Sequence, residues 1–203
     1  MQEGNNSYEH DLDGCMKNSG DTLYHYDSLN RLTCIEKPSE HIEFTYDSFD
    51  RRLTKKIYSN EQLQTSLRFL YDGQNEIGAV DDQNKLIEFR MLGQGLGAEI
   101  GAAVALELQD EVYIPIHDHR GNVALLLGEQ GNPFETYRYT AFGNERPLES
   151  INPWRFSSKR MEGTLVYFGK RFYDPNLGRW LSPDPQGFED GPNLYTYVRN
   201  RLI

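Results

Sequence analysis

Cysteine, positive charge and long apolar runs are all scarce in this 203-residue chain, and each scarcity removes a class of protein. Only two cysteines occur, Cys15 and Cys34, with neither a Cys-x-x-Cys spacing nor a Cys/His cluster. A disulfide framework and a zinc ribbon are therefore not signalled; buried or incidental thiols are the plain reading, and one disulfide is the alternative. Lysine and arginine number 21 against 31 aspartates and glutamates, a net charge of −10. Such a surface repels phosphate backbones, so nucleic acid is not an expected partner. The longest apolar run, Val123 to Leu127, has strand length and falls far short of the ~20 residues that span a bilayer. The stretch Met1 to Ser7 has neither a basic start nor an apolar core, so no signal peptide is expected. No segment sustains an apolar 3.6-residue period, which argues against long helices.

What the chain does have is aromatic side chains in a repeating unit. Hydrophobic residues make up 37%, but aromatics reach 12%, with 13 Tyr, 10 Phe and 2 Trp. Tyr24-His25-Tyr26-Asp27-Ser28-Leu29-Asn30-Arg31-Leu32 is followed by Phe44-Thr45-Tyr46-Asp47-Ser48-Phe49-Asp50-Arg51-Arg52-Leu53 and then Phe69-Leu70-Tyr71-Asp72-Gly73-Gln74-Asn75-Glu76-Ile77. Looser copies begin at Tyr8, Ile116 and Tyr137. The Tyr-Asp steps are 20 and 25 residues, a period typical of stacked repeats. Aromatics at i and i+2 share one face of a strand and can meet those of the next repeat. The aspartate can accept turn amides, and Asn or Gly further on tolerates positive φ. The expected fold is all-β: tandem antiparallel β-hairpin repeats forming a curved, open spiral sheet or partial shell. Stacking of marginal hairpins would supply its stability.

Three segments suggest sites and are weighed against plainer roles. Gly93-x-Gly95-x-x-Ala98 satisfies a permissive dinucleotide pattern, but it lacks a strand–helix context and reads as a loop between repeats. His117 and His119 would share a strand face, yet no third ligand is signalled and they occupy the Tyr-Asp slot of a repeat. Neither a cofactor nor a metal is expected. Asp174-Pro175-x-x-Gly178 reads as an Asp-Pro turn.

The unit resembles that of RHS/YD-repeat proteins, Tyr-x-Tyr-Asp-x-x-Gly-Arg-Leu. Met91-Leu92-Gly93-Gln94-Gly95-Leu96-Gly97 and His117-Asp118-His119-Arg120-Gly121-Asn122-Val123 are similar to further segments of that family. Asn152-Pro153-Trp154-Arg155-Phe156 and the run from Gly169 to Phe188, with Tyr173-Asp174-Pro175 and Ser182-Pro183-Asp184-Pro185-Gln186-Gly187-Phe188, resemble the RHS repeat-associated core domain. The resemblance covers nearly the whole chain. It implies hairpin repeats over 1–150 and a truncated core domain over 151–203, with no C-terminal effector in the 15 residues past Phe188. It also implies a structural segment of an encapsulation shell, as in bacterial polymorphic-toxin or secreted repeat proteins. Further repeats or an effector domain of a longer protein are the implied partners, and a secreted or cell-surface setting is the family's. Self-association of the isolated chain is expected, and a surface adhesion or glycan-binding module is the alternative.

The resembled core cuts its own chain as an aspartyl-type protease, so the same motifs imply an intramolecular activity cleaving after Phe188. Asp184 takes one acid position. Arg155 matches an arginine that could orient a carboxylate or stabilise charge. Glu162, in the shortened stretch Met161-Glu162-Gly163-Thr164-Leu165-Val166-Tyr167, takes the place of a second aspartate. Two acids sharing a proton could activate water and polarise the scissile carbonyl.

Overall fold

The aspartate of each repeat organises the connection that follows it. In the computed structural model, which describes residues 8–93, 100–146 and 150–198, Oδ1 of Asp11, Asp27, Asp47, Asp81 and Asp118 accepts two backbone amides. These come from the residues two and four positions on. The residue three positions on (Gly14, Asn30, Asp50, Asn84 or Gly121) has positive φ. The aspartate's own amide then donates to the carbonyl four positions on, closing the loop. Thr140 builds the same loop with its hydroxyl, which accepts from Asn144 N at 3.1 Å. A short oxygen side chain that saturates turn amides is what this geometry requires, and glycine or asparagine is what the left-handed position tolerates.

These loops join strands in strict chain order. They are β1 (Tyr8–His10), β2 (Met16–Ser19), β3 (Thr22–Tyr26), β4 (Leu32–Lys37), β5 (Glu40–Tyr46), β6 (Arg52–Ser59) and β7 (Gln62–Asp72). There follow β8 (Asn75–Val80), β9 (Leu86–Leu92), β10 (Ala103–Leu108), β11 (Glu111–His117), β12 (Val123–Gly128) and β13 (Pro133–Thr136). All thirteen form one sheet in which each strand lies antiparallel to the next, so the all-β hairpin expectation holds. Several of the other connections are two-residue turns, such as Asn60-Glu61 and Gln109-Asp110, where both residues have positive φ. The third aromatic repeat departs from the expected pattern. Asp72 pairs directly with Asn75 across a two-residue turn, and the aspartate loop appears at Asp81, which no aromatic pair announces.

Three tyrosines couple their repeat to the one before it through their hydroxyls, whereas the buried hydroxyl of Tyr26 makes no such bond. Tyr46 Oη donates to the carbonyl of Leu32 at 2.6 Å, Tyr71 Oη to that of Arg52 at 2.9 Å, and Tyr139 Oη to that of Val123 at 2.7 Å. In each case the acceptor is the residue immediately after an earlier aspartate loop. Arginine reinforces two of these steps. Arg31 lies 4.9 Å from the Tyr46 ring centroid and bonds Asp27 and Asp50; Arg51 lies 5.0 Å from that of Tyr71 and reaches the Gly73 carbonyl.

The remaining chain folds back on one face of this sheet. β14 (Arg138–Tyr139) pairs with β15 (Glu145–Arg146), and a four-stranded sheet follows: β16 (Arg160–Glu162), β17 (Leu165–Tyr167), β18 (Phe172–Asp174) and β19 (Arg179–Trp180). Alternate residues of the large sheet (Tyr24, Ile35, Ile42 and Phe44) pack against Leu165, Tyr167, Phe172 and Leu181 of this segment. Trp154 packs with Leu106, Tyr113 and Leu126. No α-helix occurs among the described residues.

If the tyrosine hydroxyl is the repeat-to-repeat tie, Tyr71→Phe keeps the ring and loses only the bond. Its cost should be about 1 kcal/mol in urea unfolding, whereas an unchanged midpoint would place the coupling in the rings alone.

Candidate functional site

Strand alternation sends charged side chains, as well as apolar ones, toward the covered face. Arg52 and Lys55 of β6 both point there although three residues apart, which the register shift between Thr45 and Tyr46 in the β5–β6 pairing allows. Glu76 of β8 and the i, i+2 pair Glu88 and Arg90 of β9 join them. From the opposite side come Trp154, Arg160 and Glu162. The shortened loop noted in the sequence is a two-residue turn, Gly163-Thr164, so Glu162 stands at the end of β16 and pairs with Leu165.

The result is a buried junction of alternating charge. Arg52 Nη1 lies 2.6 Å from Glu162 Oε1, and its Nη2 lies 3.4 Å from Glu76 Oε2. Lys55 holds the second oxygen of Glu162. Arg160 Nε contacts Glu76 Oε1 at 2.6 Å, and its other arm contacts Glu88. Trp154 Nε1 donates to Glu76 Oε1 at 3.2 Å, and Arg90 donates to the carbonyls of Glu76 and Ser158. Aromatic faces line the guanidinium groups: Arg52 sits 4.2 Å from the ring centroids of both Phe69 and Tyr167. Burial by itself would raise the Glu162 pKa, but Arg52, Lys55 and Arg160 outweigh it and hold the carboxyl at about 2. Glu76 is lowered in the same way, by Arg160, Arg52 and Arg90 against its burial. Carboxylates held ionised in this manner are suited to bind cations, not to carry a proton for catalysis.

The three residues marked by sequence occupy three separate ion pairs. Glu162 belongs to the junction. Asp184 lies 2.8 Å from Arg171 Nη2, and its Oδ1 accepts the Gln186 amide at 3.0 Å. Arg155 does engage a carboxylate, but it is Glu145 of β15, at 2.9 Å. Burial, only partly countered by Arg155, raises the Glu145 pKa to about 7. Neither a hydrogen bond nor an ion pair joins Glu162 to Asp184. Phe188 lies exposed in a 3₁₀ turn, Gly187–Asp190.

The other candidates fall as follows. Asp174 Oδ1 accepts the amides of Asn176 and Leu177, the turn role expected of it. His117 is half-buried, with burial lowering its pKa, and Asp118 between the two histidines serves its loop. No group of three metal-ligating side chains is assembled among the described residues. Gly93 follows β9, its amide donating to the Ala102 carbonyl; Gly95 and Ala98 lie outside the described residues. Sequence reading missed Arg52, Glu76, Glu88, Arg90 and Arg160. Their signal was faint: charged residues at strand positions whose neighbours alternate with apolar ones.

Comparison with known proteins gives one consistent direction. Residues 1–201 match the family described as Teneurin YD-shell. The tRNA3(Ser)-specific nuclease WapA of Bacillus spizizenii is 26% identical over 97% of this chain, which covers 9% of that protein. Toxin subunit YenC1 of Yersinia entomophaga is 31% identical over 79% of this chain and 18% of its own length. The crystal structure of TcdB2-TccC3 matches 95% of this chain and 10% of that one with a TM-score of 0.71, at 22% identity, a likeness of fold. The chain thus spans only 9–18% of the length of these three proteins.

The junction carries a definite pH signature. The pKa of Glu162 falls from its ordinary 4.5 to about 2 on folding. Its stabilisation should therefore be complete above pH 4.5 and disappear as pH drops toward 2, a loss of roughly 3 kcal/mol. Glu162→Gln should flatten that acid limb while destabilising the neutral protein by about 3–5 kcal/mol, because Arg52 stays buried. An identical acid limb in the variant would show that Glu162 is not the titrating group.

Proposed function

The chain belongs to the teneurin YD-shell family, and from that premise we propose that it forms part of the wall of a shell enclosing a polypeptide passenger. The observation that carries this reading is the thirteen-strand ladder itself, in which each strand pairs with its chain neighbours and successive repeats share the same hydroxyl ties. Such a structure extends by addition of like units. The toxin and nuclease names of the matched proteins fit a wall around a harmful passenger. We assign residues 151–203 to the RHS repeat-associated core domain on their Trp-Arg-Phe and Asp-Pro motifs, and residues 1–150 to the repeats. Further repeats or a passenger domain of a longer protein are the proposed partners.

For Asp184, Glu162 and Arg155 we favour ionic roles over self-cleavage after Phe188. A dyad sharing one proton needs two adjacent carboxyls, one of them neutral. Glu162 is instead ionised between Arg52 and Lys55, and Arg171 engages Asp184.

One chimera tests both statements. A toxin subunit's matched shell segment is replaced by this chain, and the passenger is followed by protease digestion and intact mass. The passenger should resist digestion and stay covalently joined through the Phe188–Glu189 bond. Digestion at the rate of the free passenger would contradict the wall. A cut after Phe188 that Asp184→Asn abolishes would restore the self-cleavage reading.

A further inference from the structure

A concavity of about 760 Å³ opens where the β14–β15 loop meets the chain after β18 and the segment around Tyr195. Acids outnumber bases in this protein by 31 to 21, yet none of the described residues lining the concavity is acidic. Arg179 is the one cation among the described residues that line it. Nearby arginines of the same segment each have a carboxylate: Arg155 has Glu145, Arg160 has Glu76 and Glu88, Arg171 has Asp184. No carboxylate among the described residues stands within ion-pairing distance of Arg179, and its buried Nε has no hydrogen-bond partner.

The guanidinium is nevertheless held in place. Its carbon lies 4.5 Å from the centroid of the Tyr195 ring, and Tyr195 is itself fixed, its hydroxyl donating to the Gly14 carbonyl at 2.8 Å. The Arg179 backbone is pinned by pairing with Asp174 and by a bridge to Thr196. Stacking uses the face of a guanidinium and leaves its edge available, a fork that matches a carboxylate. Around it stand neutral hydrogen-bonding groups (Thr140, Asn144, Asn176 and Thr196) and the partly exposed ring of Phe142. Asn144 donates one amide hydrogen to the Pro175 carbonyl, which leaves its own oxygen to accept from a ligand.

We propose that this concavity binds a carboxylate-bearing sugar: Arg179 takes the carboxylate, the threonine and asparagine side chains exchange hydrogen bonds with ring hydroxyls, and Phe142 covers the apolar ring face. One arginine balances the single charge of a carboxylate, whereas a phosphate group near pH 7 carries about −1.5 to −2. The amide and hydroxyl lining suits hydroxyls better than the apolar side chains of a peptide.

The test uses the whole chain and ligand-observed saturation-transfer NMR with glucuronate, glucose and acetate as probes. Glucuronate should bind, with glucose and acetate each at least tenfold weaker. Arg179→Lys, which keeps the charge and loses the fork, should weaken glucuronate at least tenfold, and Arg179→Met should abolish it. Absence of glucuronate binding, equal binding of glucose, or full binding by Arg179→Met would overturn the site. Acetate binding as tightly as glucuronate would overturn the sugar. Arg179 takes no part in the Arg52 junction or the repeat ties, so circular dichroism should show its variants folded. A negative result would leave the shell reading as it stands.

Discussion

Arg52 is the residue on which the arrangement turns. A guanidinium taken wholly out of water is costly unless nearly every side of it is answered, and here the answers come from both halves of the chain. Glu76 and Phe69 belong to the ladder; Glu162 and Tyr167 belong to the segment that folds over it. Without that segment the ladder would present Arg52, Lys55 and Arg90 with only Glu76 and Glu88 to balance them. Without the ladder, Glu162 would lose both of its ion-pair partners, Arg52 and Lys55. Each half thus holds buried charges whose partners lie in the other: Glu162 with Arg52 and Lys55, Arg160 with Glu76 and Glu88. Apolar packing between the halves, at Phe44–Phe172 among other contacts, supplies adhesion, and the charges fix the register in which it occurs.

Along the ladder the logic is local. Each aspartate saturates its own loop, and Tyr46, Tyr71 and Tyr139 reach back to the carbonyl that follows an earlier loop. A unit of this kind depends on its neighbours and on little else, which is how a wall of any length can be made from repeats of similar sequence. The period varies because the spacing between loops can absorb extra strand residues; β7 runs for eleven residues, and the next aspartate loop moves to Asp81.

The amino-acid sequence disclosed much of this fold and less of its junction. Aspartates 27, 47 and 118 were legible as loop organisers because their chemistry is local: an acceptor, then a residue able to take positive φ. Tyrosine was legible as a repeat marker but not as a hydroxyl donor, since its acceptor lies in another repeat and depends on strand register. Asp72 misled because the same Tyr-Asp step can also close a two-residue turn. Arg155 was marked by its motif, as an arginine that could orient a carboxylate or stabilise charge. Its partner, Glu145, follows no motif and is reached only through the β14–β15 hairpin. The junction was hidden for a related reason. Arg52 looks like the second half of an ordinary Arg-Arg pair, yet Arg51 closes the aspartate loop on the rim while Arg52 opens β6 with its side chain in the interior.

The central claim is that buried charge makes the ladder and the folded-over segment one cooperative unit. Both tryptophans, Trp154 and Trp180, lie in the segment, so fluorescence reports on it, while far-ultraviolet circular dichroism is dominated by the strands of the ladder. The decisive measurement is guanidinium chloride unfolding of the parent and of Arg52→Met followed by both signals. The account predicts coincident transitions in the parent. In the variant the tryptophan signal should change at distinctly lower denaturant than the circular dichroism. Coincident and unshifted transitions in Arg52→Met would contradict it.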